Sequence, residues 1–138
     1  ETNYNLDYLR NLADEFYLNN EMDSKVASGS NFVDAFVISP CSISTMSKIA
    51  SGISDNLITR VGSVCLKEKR KMVLAIRETP LSSIALENML KLSRKNVLIL
   101  PVNKRFYIKP RRIEDMVDFV VGKVLDYLKI ENKIYNRY

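Results

Sequence analysis

Met72-Val73-Leu74-Ala75-Ile76 is a run of five apolar residues, and Arg77-Glu78-Thr79-Pro80 follows it at once. A half-exposed strand would alternate polar and apolar residues. An unbroken apolar run reads instead as a strand covered on both faces, as in a parallel sheet. Two neighbours read the same way. Ala35-Phe36-Val37-Ile38 is closed by Ser39-Pro40, and Val97-Leu98-Ile99-Leu100 is stopped by Pro101. Helical spacing fills the intervals. Leu6, Leu9, Leu12 and Phe16 predict an opening helix. Ser42 predicts a cap, with Thr45, Met46, Ile49 and Ala50 on the inner side of a helix ending near Gly52. Asn56 to Lys67 reads as helical. Thr79-Pro80 reads as a cap with proline in the first turn, opening a helix to about Lys95. Ile113, Met116, Val117, Val120, Val121, Val124, Leu125 and Leu128 keep an i, i+3, i+4, i+7 pattern for about four turns.

Strands separated by helices predict the α/β class, with a parallel sheet covered on both faces. Ligands of such folds gather where strands end and helices begin. Ser39-Pro40-Cys41-Ser42, Arg77-Glu78-Thr79-Pro80 and the loop after Pro101 fall there. Three strands are fewer than the usual five or so, and doubly wound domains begin with a strand. The expectation is therefore that a first βαβ portion is missing from residues 1–138, which form a single domain.

Composition narrows the function. Hydrophobic residues at 46% and charged residues at 27% suit a globular domain and exclude disorder or a fibre. The longest apolar runs are far short of the ~20 residues that cross a membrane. No charged-then-apolar leader opens the chain, so the expected location is cytoplasmic. Cys41 and Cys65 are too few for a disulfide scaffold or a zinc site and read as reduced thiols. There is no histidine, which excludes serine–histidine and cysteine–histidine catalysis and argues against a transition-metal site. Charge is uneven. Residues 1–59 hold three basic and eight acidic side chains, a net of −5, whereas residues 60–138 carry +10. A basic half invites an anionic partner. No motif supports nucleic acid, because aromatic residues do not interleave with the basic ones.

Six stretches then occur in order: Ser39-Pro40-Cys41-Ser42, Asp55-Asn56-Leu57-Ile58-Thr59-Arg60, Leu66-Lys67-Glu68-Lys69-Arg70, Arg77-Glu78-Thr79-Pro80-Leu81-Ser82, Phe106-Tyr107-Ile108-Lys109-Pro110 and Val120-Val121-Gly122-Lys123-Val124-Leu125-Asp126. Together they resemble the flavin prenyltransferase (UbiX-type) family from about Val26 to Leu128. The resemblance implies a flavodoxin-like, Rossmann-related three-layer sandwich assembled as a homo-oligomer, a dodecamer. It implies transfer of a dimethylallyl group from dimethylallyl phosphate to reduced FMN without a metal. The product, prenylated FMN, serves a partner UbiD-type decarboxylase. Family members open with a strand and a Gly/Ser-rich phosphate turn, which residues 1–138 do not contain.

The resemblance also implies roles. Ser42, Ile43, Ser44 and Thr45 match a flavin-contacting segment, where a helix N-terminus offers free N–H groups. The family usually has lysine at the position of Ser44. Arg77 matches an FMN-binding arginine, suited to paired bonds with a carbonyl or phosphate. Glu78 matches the acid that handles the proton lost from flavin C6 on ring closure, a task suited to a carboxylate whose pKa a dry pocket raises. Arg60, Lys67, Tyr107 and Lys123 match residues that hold dimethylallyl phosphate. Fixed cations and a phenol stabilise a departing phosphate. Lysine at position 123 keeps the charge of the family's arginine but loses its fork. Some of these contacts cross subunit boundaries in the family.

Blander accounts exist for each residue: a plain helix cap for Ser42, an ion pair for Arg77, a capping carboxylate for Glu78, a solvated charge for Lys67. Ser28-Gly29-Ser30 reads as a turn. Two other functions stay open. One is a related decarboxylase acting on a phosphopantothenoyl-cysteine-like substrate, which would need a histidine. The other is an inactive or partial FMN-binding fragment acting only in oligomer assembly.

Overall fold

In the computed structural model, which describes residues 5–103 and 112–135, β2 (Lys71–Ile76) lies between β1 (Ala35–Cys41) and β3 (Val97–Pro101). All pairings are parallel. Val37 stands opposite Val73, and Val73 opposite Leu98. Being central, β2 is covered on both sides, and Met72, Val73, Leu74 and Ala75 are fully buried. That is the physical content of its unbroken apolar run.

The helices are α1 (Leu6–Leu12), α2 (Ile43–Ala50), α3 (Leu57–Lys67), α4 (Ser83–Ser93) and α5 (Ile113–Leu128), with a short 3-10 turn at Lys25–Ala27. Helices α2, α3 and α4 pack together over one face of the sheet. Met46, Ile49, Ala50, Leu57, Val61, Cys65, Ala85 and Leu92 join Met72, Leu74 and Ile76 in one core. Gly62 lets α3 approach α2: a Cβ there would lie 2.7 Å from Ile49 Cδ1, inside the packed core.

Three expectations need correction. Strand β1 does not stop at Ser39-Pro40. Proline has no N–H for the ladder, so the register shifts between Ile38 and Cys41 and pairing resumes at Cys41 with Ile76. Helix α4 does not open at Thr79-Pro80. Its N-cap is Ser82, whose Oγ accepts from Ala85 N–H at 3.2 Å, and residues 77–82 stay a loop. The opening helix ends at Leu12, short of Phe16, because Ala13 is extended. The helix expected from Ile113 to Leu128 is present as α5, and its apolar stripe is half open among the described residues. Ile113 is 72%, Val117 54% and Val121 43% exposed. The buried residues of α5 are Phe119 and Gly122, on another face, and the chain after the helix packs Tyr135 against both.

Among the described residues no helix is long and apolar enough to cross a membrane.

Candidate active site

The carboxyl edge of the sheet gathers three strand-to-helix connections, because parallel strands all end on the same side. The first is the tightest. Strand β1 ends at Cys41, Ser42 caps α2, and the helix starts at Ile43. Ser42 Oγ accepts from Thr45 N–H at 3.1 Å and lies 3.0 Å from Thr45 Oγ1. The carbonyl of Ser42 takes Met46 N–H. The first-turn amides of Ile43 and Ser44 therefore point out of the helix end, toward any anionic or carbonyl ligand. Ile43 packs partly on the core while Ser44 is exposed. Cys41 beneath them is no nucleophile: burial pushes its thiol up to about 11.

The second connection begins one residue past the last ladder pair, Ile76 with Pro101. Arg77 and Glu78 are both exposed there, and among the described residues neither joins an ion pair. The simple Arg77–Glu78 pair is thus not formed. Among the described residues the dry pocket expected around Glu78 is not formed either, and they leave this loop open to solvent. The third connection extends the ladder through Val102 N–H to the carbonyl of Ile76, 2.7 Å. Tyr107 lies beyond it, outside the described residues.

Helix α3 carries Arg60 and Lys67. Its start is fixed by a capping box, in which Asn56 Oδ1 accepts from Thr59 N–H at 2.9 Å and Thr59 Oγ1 accepts from Asn56 N–H at 3.2 Å. Seven residues apart, Arg60 and Lys67 share one face of the helix, about 10 Å apart along its axis. Arg60 Nε donates to the carbonyl of Ala27 at 3.1 Å. Its guanidinium borders a cavity of about 400 Å³ lined also by Ser24, Ser28 and Ser54. Ser24 Oγ is buried, with no hydrogen-bond partner among the described residues. Lys67 pairs with Glu68 at 3.1 Å. Because α3 runs back against the strand direction, Lys67 ends at the amino edge of the sheet, away from Arg77. Lys123 stands past the middle of α5, which also runs back, with Nζ 5.3 Å from the Phe119 ring centroid and 5.1 Å from that of Tyr135.

One chain therefore brings Ser42, Ile43, Ser44, Thr45, Arg77 and Glu78 to a single edge. It does not bring Arg60, Lys67 and Lys123 together there. The part played by residues 24–28 beside Arg60 was not legible in the sequence, where Ser28-Gly29-Ser30 reads only as a turn. Nor was Tyr135, which has no motif around it. The donor set at the carboxyl edge fits a flavin nucleotide: outward amides, two hydroxyls and one guanidinium suit carbonyl and phosphate oxygens. No group of three or more metal-ligating side chains occurs among the described residues.

Comparison with known proteins gives the kinship. The profile of the Flavoprotein family matches residues 7–125. Flavin prenyltransferase UbiX of Thermoplasma acidophilum is 45% identical over 138 residues, all of this chain and 77% of that protein. The Methanothermobacter thermautotrophicus UbiX is 50% identical over 130 residues, 94% of this chain and 68% of that one. This chain belongs to the UbiX-type flavin prenyltransferase family. The fold agrees. The crystal structure of AnUbiX in complex with FMN and dimethylallyl pyrophosphate overlays with a TM-score of 0.95 at 43% identity, covering all of this chain and 73% of that one. A dodecameric FMN-dependent UbiX-like decarboxylase from Escherichia coli gives 0.95 at 40% identity, covering 75% of its chain. The flavodoxin-like sandwich implied by the UbiX resemblance is thus the observed fold.

Proposed function

We propose that this protein transfers a dimethylallyl group from dimethylallyl phosphate to reduced FMN, at a site built where copies of the chain meet. The observation that carries the reading is the joint arrival of the α2 amino end and Arg77-Glu78 at one sheet edge. It occurs in a chain that matches a relative solved with FMN and dimethylallyl pyrophosphate at a TM-score of 0.95.

The first-turn amides of Ile43 and Ser44, the Ser42 and Thr45 hydroxyls and the Arg77 guanidinium bind the flavin nucleotide. When bound, the reduced flavin supplies the nucleophilic ring that accepts the prenyl group. Arg60, Lys67, Tyr107 and Lys123 take the donor phosphate. Breaking the allylic C–O bond leaves negative charge on phosphate and positive charge on carbon, and fixed cations lower the energy of the leaving anion. Glu78 accepts the proton released from flavin C6 when the prenyl unit closes the one new ring there.

Because Lys67 and Lys123 lie away from Arg77 in one chain, neighbouring copies supply them. A dodecamer like that of the Escherichia coli relative would also cover Ile113, Val117 and Val121 and shield Glu78 from water. The protein acts in the cytoplasm, and its product passes to a UbiD-type decarboxylase.

The test is direct. The full-length protein is incubated with reduced FMN and dimethylallyl phosphate, and the flavin is weighed by mass spectrometry. A flavin heavier by one prenyl unit is expected; unchanged FMN overturns the reading.

A further inference from the structure

Lys123 is held by rings. Its Nζ sits near both Phe119 and Tyr135, and these two rings meet edge to face with centroids 5.3 Å apart at 74°. Tyr135 reaches this spot because the chain turns back after α5. Lys129 takes a left-handed conformation, φ 62°, and ends the helix. Asn132 Nδ2 then donates to Asp126 Oδ1 at 3.0 Å, and Tyr135 O–H donates to Asp126 Oδ2. Gly122 leaves the space for the ring: a Cβ there would stand 2.1 Å from Tyr135 Cδ1.

We propose that Tyr135 is a positioning residue for Lys123, its aromatic face, seated on Gly122, fixing the ammonium that receives the donor phosphate. The proposal rests on the donor role given to Lys123 above. Its logic is electrostatic. A carboxylate would fix the ammonium too, but would cancel the charge the phosphate needs. Aromatic faces hold a cation and leave its full charge available. A free lysine has a long, mobile stem, and ordering it at the moment of binding weakens affinity; a stem already fixed avoids that loss. The lysine then recovers part of the fixed geometry that an arginine fork would have.

Two variants and one background test this. Tyr135→Leu removes the aromatic face; Tyr135→Phe keeps it. Loss of a partly shielded cation–π contact should raise the KM for dimethylallyl phosphate about three- to ten-fold in Tyr135→Leu. Its FMN affinity should stay unchanged, and Tyr135→Phe should remain near wild type. In a Lys123→Met background, Tyr135→Leu should add nothing to KM. Independently of turnover, the acetylation rate of Lys123 by acetic anhydride, read by peptide mass spectrometry, should rise in Tyr135→Leu and not in Tyr135→Phe. Unchanged Lys123 labelling in a folded Tyr135→Leu protein overturns the proposal. So does an equal rise in KM with or without Lys123. If Lys123→Met itself leaves KM untouched, the donor role of Lys123 fails, and the labelling comparison still decides whether Tyr135 holds the ammonium.

Discussion

Glu78 leaves the sheet two residues after the last ladder pair and stands in solvent in the single chain. Its proposed work is to accept one proton late in the reaction. Glu78→Gln keeps the shape and loses the base. Product formation should slow by about 10²- to 10⁴-fold, the usual contribution of a positioned base. FMN should bind as before, measured by flavin fluorescence quenching. An unchanged rate would give the proton to another group. Cys41, two residues before the Ile43 amide, behaves oppositely. Its thiol keeps its proton until about pH 11 in the fold, against an ordinary value of 9.0. Unfolded chains lose that proton first as pH rises. The stability tied to the neutral thiol is therefore intact below about pH 9 and lost as pH climbs through about 11. Urea titrations at several pH values should show wild-type stability falling over that window more steeply than Cys41→Ala. Equal slopes would mean the burial of Cys41 does not matter to the alkaline limit.

At the scale of elements, Ser82 rather than Thr79 starts α4, and the reason is local. A serine hydroxyl three residues before Ala85 accepts from its amide, which as a first-turn N–H has no partner within the helix. Ser82→Ala should cost about 1 kcal/mol in chemical denaturation; no loss would return the helix start to the Thr79-Pro80 turn. Sequence reading fared best where the signal is local. The apolar runs of β2 and β3, the helix from about Asn56 to Lys67 and the Ser42 cap were all visible as written. Boundaries failed where two local signals compete, as at Thr79 against Ser82, or where a strand continues through a proline by shifting register. At the site, the loops at the sheet edge were legible because parallel strands must all end on one side. The separation of Lys67 from Arg77 follows from α3 running back, and the clasp on Lys123 depends on a ring twelve residues later, brought back by the reversal at Lys129; neither leaves a mark in spacing.

The whole molecule is built to be covered. Ile113, Val117 and Val121 form an open apolar line on α5, and Leu6, Leu9 and Leu12 are exposed on α1. Contiguous apolar surface of this kind marks an interface. Val117→Glu should shift the assembly to smaller species in light scattering, with turnover falling in step, because a charge at a dry interface is costly. A full-size assembly would put that helix face in water. The central claim is that the cations of one subunit act on the donor beside the flavin held by another. It is measured most directly by co-assembling Glu78→Gln with Lys67→Met in equal amounts. If the two residues serve one site from different chains, random mixing rebuilds about a quarter of the sites with both native groups. Prenylated FMN formation should then rise toward about that fraction of the wild-type rate. Hybrids no more active than the average of their two parents would contradict the account.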